Sequence, residues 1–267
     1  MRPRTLTPLL LLLLCCSLCA PAAGQEKGLT AEEIINKHLE AVGGRGALSK
    51  LKTRIAAGTV KRESDPEAKM AIVSEAPNRL AAVFIFTNFD LRMVYDAGKW
   101  NMRPQLPRQY VAFQNKYEEM LTSGLMYNDI SLFNILLNPP EKAKFEAKGV
   151  KKLKGGEAYV VEVKQPGLDT MHLFFDKQTL MWVRTEYGQA HFTLAMKGMT
   201  VTHQDEELTV DFYIETSDFR DVGGLKLPFR FEQVVTAPIL GQKQHGTIVG
   251  KITEYRHNEP ISPQMFQ

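Results

Sequence analysis

The sequence predicts a mainly β (α+β) single domain: about a dozen antiparallel strands, one N-terminal helix and one internal helical interruption. Three observations carry this reading. From Thr53 onward, apolar residues recur with a period of two, the spacing of strands. Turn signals such as Asp65-Pro66, Pro77-Asn78 and Asp96-Ala97-Gly98 separate these runs at intervals of about eight to twelve residues, as in a meander. Helical periodicity is confined to the stretches near 30–42 and 108–137. Composition agrees. The 267 residues are 44% hydrophobic, 24% charged and 9% aromatic, an ordinary globular balance in a chain long enough to bury its own core.

The first 24 residues read as a signal peptide. Arg2 and Arg4 form a basic start, residues 9–14 are all leucine, and small residues follow at Ala20, Ala22, Ala23 and Gly24. The apolar stretch of about a dozen residues suits a signal-peptide core and is too short to span a bilayer. Cleavage near Gly24 would leave residues 25–267 as a periplasmic domain. The alternative is a lipid anchor at Cys19. All three cysteines, Cys15, Cys16 and Cys19, lie in the leader, so the exported chain would hold neither a disulfide nor a thiolate metal site. The formal charge is +3, of which Arg2 and Arg4 supply two, leaving +1. So small a balance argues against a nucleic-acid partner.

The domain opens with a capping box, Thr30 followed by Glu33, and a helical stripe of Ile34, Ile35, Leu39 and Val42 flanked by His38. Gly43-Gly44 stops that helix. Strands are expected near 53–62, 68–75, 78–87, 91–96 and 99–103. The helical stretch 108–137 ends at Asn138-Pro139-Pro140. Strands then resume near 144–152, 157–164, 170–176, 180–188, 190–197, 208–217, 226–235 and 246–255, before an irregular tail.

The strands are unequal on their two faces. Leu208, Val210, Phe212 and Ile214 alternate with polar residues, as do Leu227, Phe229 and Phe231, and Met171, Leu173 and Phe175 share a face. The strand 78–87 is apolar on both. A large sheet with one apolar face must cover it, and the few helices available are short, so an apolar cavity is plausible. Its expected ligand-binding residues are Leu80, Phe84, Phe86, Leu91, Met93, Met171, Leu173, Phe175, Phe212, Phe229 and Phe231. The expected lid residues are Met120, Leu121, Met126, Phe133 and Leu136. The alternative is that side chains fill the space.

The stretch Asp218-Phe219-Arg220-Asp221-Val222-Gly223-Gly224-Leu225-Lys226-Leu227-Pro228 resembles the strand–turn–strand signature of the bacterial outer-membrane lipoprotein-sorting family, with its LolA/LolB-type fold. In the same order, residues 31–44 resemble its opening helix, Phe174-Phe175-Asp176-Lys177-Gln178-Thr179-Leu180 its hairpin, and residues 258–266 its closing segment. The resemblance implies an open antiparallel half-barrel of 11–12 strands with a helical lid over an apolar cavity. It implies a carrier for a lipid or acylated lipoprotein, meeting membrane-bound donor or acceptor proteins. The best-known carrier ties its lid shut with an arginine. Arg79, Arg92 and Arg103 are candidates here by their position on early strands. The alternative within the fold is an envelope sensor or protein-interaction module with no transported ligand.

An enzyme is not expected. There is no Gly-x-Ser-x-Gly elbow, phosphate loop, dinucleotide fingerprint or His-Glu-x-x-His motif. The densest polar cluster, His203 to Glu207, reads as a solvated turn. No metal or other cofactor is expected, and the protein is expected to be a monomer.

Overall fold

The computed structural model describes residues 28–63, 65–87, 90–96, 99–103, 128–132, 135–137, 139, 141–165, 170–193, 207–239 and 242–267. The leader and the lid residues Met120, Leu121, Met126 and Phe133 lie outside them. Helix α1 (Ala31–Val42) begins with the expected box: the Glu33 amide donates to the Thr30 hydroxyl at 3.2 Å, and the Thr30 amide donates back to the Glu33 carboxylate at 2.7 Å. Ile34, Leu39 and Val42 are buried, and His38, expected at the flank of this stripe, is buried with them. A short turn of helix, α2 (Arg45–Leu48), follows.

Twelve strands follow among the described residues: β1 (Thr53–Arg62), β2 (Ala68–Glu75), β3 (Arg79–Ile85), β4 (Asp90–Asp96), β5 (Lys99–Arg103), β6 (Lys144–Leu153), β7 (Gly156–Lys164), β8 (Met171–Asp176), β9 (Trp182–Thr193), β10 (Glu207–Val222), β11 (Leu225–Ile239) and β12 (Gln242–His257). They form one antiparallel sheet in the order β5-β4-β3-β2-β1-β12-β11-β10-β9-β8-β7-β6. Two meanders, β1–β5 and β6–β12, are joined where β1 pairs with β12.

This order positions the cover. Strands β5 and β6 follow each other in sequence but lie at opposite edges, so residues 104–143 must connect the two sides of the sheet. Part of that connection lies over the inner face: the Leu132 amide donates to the Ser74 hydroxyl on β2 at 3.2 Å, and Ile130, Ile135 and Leu136 join the main core. The sequence predicts helix through residue 137, but residues 128–132 and 135–137 are bends and turns. The Asn128 side chain explains the start of this region: its oxygen accepts from the Ile130 amide at 2.7 Å, a local bond that competes with a helical turn.

Other differences also have local causes. The expected strands 180–188 and 190–197 are one strand, β9, because a bulge opposite Val210 and Phe212 absorbs the irregularity without ending the pairing. Strand β10 runs five residues past the expected 217, to Val222. Asp218, at a φ of 56°, interrupts the period of two there and hides the continuation. The two-faced character of β3 is explained by a second layer. Leu80, Ala82 and Phe84 join the main core, while Ala81 packs outside with Val73, Val94 and Phe266 of the C-terminal 3-10 turn Pro263–Phe266.

Candidate functional site: the inner face and its arginine tie

The inner face is built by register. Paired residues share a face, so Leu80 and Ser74, Ile72 and Ala56, and Ile252 and Gly58 carry one apolar surface across β3, β2, β1 and β12. On the far side Leu173 pairs with Val161, and Phe231 lies opposite Thr216 and Gly250. Helix α1 and the side chains of Ile130, Ile135 and Leu136 pack with both halves in one continuous core.

Leu80, Phe84, Met93, Met171, Leu173, Phe175 and Phe231 are buried in that core, with Phe86, Leu91 and Phe229 packed against it half-buried. Phe212 is buried and stacks on Tyr187 with ring centroids 5.0 Å apart. Of the lid residues, Leu136 is described, and it is buried in the same core. Phe175 packs against the His38 ring at 5.1 Å and Trp182 at 6.0 Å. Beneath α1, these side chains pack against one another and against the helix.

Within this apolar region lies a polar centre that the sequence reading did not identify. Arg54 on β1 is 2% exposed. Its Nη1 donates to the carbonyl oxygens of Asp129 at 2.6 Å and Ser131 at 3.0 Å, and its Nε donates to His257 Nε2 at 3.2 Å. Burial lowers the Arg54 pKa, opposed by Tyr255 and Asp129. The His257 imidazole falls to about 4, first by desolvation and then by the Arg54 charge. Burial pushes the Tyr255 phenol up, and its hydroxyl donates to the Pro228 carbonyl at 2.7 Å. His38 Nδ1 donates to the Leu180 carbonyl at 2.9 Å, so its Nε2 faces the Asp129 carboxylate at 3.4 Å. One segment, 129–131, is thus held by β1 from one side and approached by α1 from the other.

The arginines expected by position lie elsewhere. Arg79 pairs with Glu75 at 2.7 Å and Asp96 at 3.4 Å and covers the Phe266 ring, on the outer face. Arg92 reaches the Gln264 carbonyl, and Arg103 is exposed. The overlooked signal was parity. Arg54 shares its strand face with Ala56 and Val60, both core residues, and a charge there requires a buried partner.

The outer face is charged and interlocked. Glu162 meets Lys164 at 2.9 Å and Lys148 at 3.1 Å, which hold its carboxyl at about 2. Arg184 lies 3.8 Å from the Tyr213 ring and pairs with Glu186 and Glu215. A cleft of about 480 Å³ on this face is lined by residues including Ala158, Val183, Glu215 and Arg230. Among the described residues, no group of three or more His, Cys, Asp or Glu could hold a metal ion, and no helix is long and apolar enough to cross a membrane.

No protein-family model and no curated protein matches the sequence. Among solved structures, the chain is similar to a LolA superfamily protein from Nitrosomonas europaea at 10% identity, over 90% of this chain and 98% of that one, with a TM-score of 0.45. It is similar to MucB at 11% identity, over 83% and 92% of the two chains, with a TM-score of 0.27. It is also similar to a chain of the MucA/MucB complex of Pseudomonas aeruginosa at 11% identity, over 86% and 99%, with a TM-score of 0.23. The open, mostly β antiparallel sheet expected from the sequence is the sheet that the strand order shows.

Proposed function

We propose that this protein is a periplasmic carrier that holds the acyl chains of a lipid or acylated lipoprotein against the inner face of its sheet, without covalent chemistry. The observation that carries this reading is the Arg54 tie. A buried guanidinium holds the backbone of the crossing segment at Asp129 and Ser131. A permanently closed core would be served as well or better by an apolar side chain at that position. Hydrogen bonds to two carbonyls can instead be broken and remade as a cover lifts. The surface beneath is apolar and rich in Phe and Met, which adapt to chains of different length. An acyl chain of about 16 carbons, at about 0.8 kcal/mol per methylene, offers on the order of 12 kcal/mol gross. Ordering the chain and the cover offsets much of this, which leaves room for handover.

The test is to express the full chain with its leader in a bacterial periplasm and purify it without detergent. Organic-solvent extracts are then examined by mass spectrometry beside a control periplasmic protein. Near-stoichiometric acyl lipid is the expected result. An empty protein that also takes up no fluorescent fatty acid would overturn the carrier reading. One observation favours a second reading, a module that works through a protein partner: α1, Ile130, Ile135 and Leu136 already pack in the core of the inner face. MucB, crystallised with MucA, is an example of such a pairing in a similar structure.

A further inference from the structure

The inner face also holds a buried amide side chain on β11, one strand beyond β12 from the tie. Gln233 on β11 is 3% exposed, and its amide nitrogen is buried with no hydrogen-bond partner among the described residues. Its position is fixed by register. It lies two residues beyond the core residue Phe231, hence on the same face, and pairs with Ile214 on β10 and Ile248 on β12. The neighbouring pairs on that face are Phe212 with Val235 and Thr216 with Phe231. The Thr216 hydroxyl is already used, donating to the Trp182 carbonyl.

Other buried polar atoms without a hydrogen bond lie beside a charged group: Arg79 faces Asp96, Glu162 faces Lys148, and His38 Nε2 faces the Asp129 carboxylate. Gln233 has isoleucine on both sides. An amide donor enclosed this way is destabilising, and a leucine or methionine would fit the alternation of Leu227, Phe229 and Phe231 without that cost. An unsatisfied donor within an apolar ligand-holding surface has a use when the ligand brings an acceptor.

We propose that the Gln233 amide donates a hydrogen bond to an acyl carbonyl of the bound molecule, so that the protein selects ester-linked acyl chains over plain alkyl chains. This rests on the carrier reading above. The ester could belong to a membrane phospholipid or to an acylated protein, since both present a carbonyl at the head of an acyl chain.

The test uses two matched pairs on the intact protein: a phosphatidylglycerol with ester-linked or ether-linked chains of equal length, and a diacyl-cysteinyl lipopeptide with the same two linkages. Binding is read by displacement of a fluorescent fatty acid. The expected result is about a ten-fold preference for the ester in at least one pair, one hydrogen bond's worth of affinity. The pair that shows it names the source. Gln233→Leu should lose the preference while still binding the ether lipid. It should also melt no lower than the natural protein, since it removes an unsatisfied donor. Gln233→Met serves as the second variant should the leucine fold poorly. Equal binding of ester and ether in both pairs would overturn this inference and leave the carrier reading standing. A protein that binds none of the four probes would overturn both.

Discussion

Arg54 shows how much one side chain can organise in a sheet. It occupies a core position on β1, and the hydrogen bonds its side chain donates reach the crossing segment and β12. Hydrogen bonds from a charged donor contribute about 1.5–3 kcal/mol each. In Arg54→Met, residues 128–132 are therefore expected to exchange their amide hydrogens at least about ten-fold faster, while α1 keeps its protection. Equal exchange in both proteins would show that Arg54 does not hold the segment. His257 adds a pH dependence. Its folded pKa, about 4, lies below the usual histidine value, so the unfolded chain binds more protons between those two values. Stability from this group is fully present above about pH 6.5 and is lost as pH falls toward 4. The loss is about 1–2 kcal/mol once solvent screening of this half-buried ring is allowed for. His257→Gln can still accept from Arg54 and cannot titrate, so its denaturation midpoint should fall less over that window. The aromatic and aliphatic residues of the inner face were legible as alternating runs. Arg54 and Gln233 were not, because alternation counts apolar residues, and a polar residue in the apolar register looks like the end of the pattern.

Among the elements, α1 was legible to the residue because capping boxes and glycine stops are local chemistry. Gly43 does more than end the helix: at its φ of 138°, a Cβ would stand 2.5 Å from the Gly224 carbonyl oxygen, so the helix end docks on the β10–β11 turn. Strand boundaries failed where bulges break the period, at Asp218 and near Val210. One glycine has a purely steric role. Gly250 on β12 lies beneath the Phe231 ring, where a Cβ would overlap the ring atoms. Gly250→Ala is expected to destabilise by about 1–3 kcal/mol, as overpacking does, seen as a Tm lower by several degrees. In the double variant Gly250→Ala with Phe231→Leu, part of that loss should return. A single variant that melts with the natural protein would show that Phe231 does not pack there.

At the scale of the whole molecule, the sheet order gives the cover its place. With β1 and β12 paired at the centre and β5 and β6 at the two edges, the 104–143 connection links opposite sides of the sheet, and Arg54, near that centre, ties it. The sequence showed about a dozen strands in two runs with an interruption between them. It did not show the order of strands, which depends on pairing between residues some 200 positions apart, such as Arg54 with His257. The proposed carrier holds acyl chains on the inner face of this sheet. The most direct measurement is photo-crosslinking with a palmitic acid that carries a diazirine along its chain, followed by peptide mapping. Label is expected on inner-face residues of β3, β8, β10 and β11, among them Phe84, Leu173, Phe212 and Phe231. Label on the outer face around Arg184 and Glu162, or none above that of an unrelated protein, would contradict it.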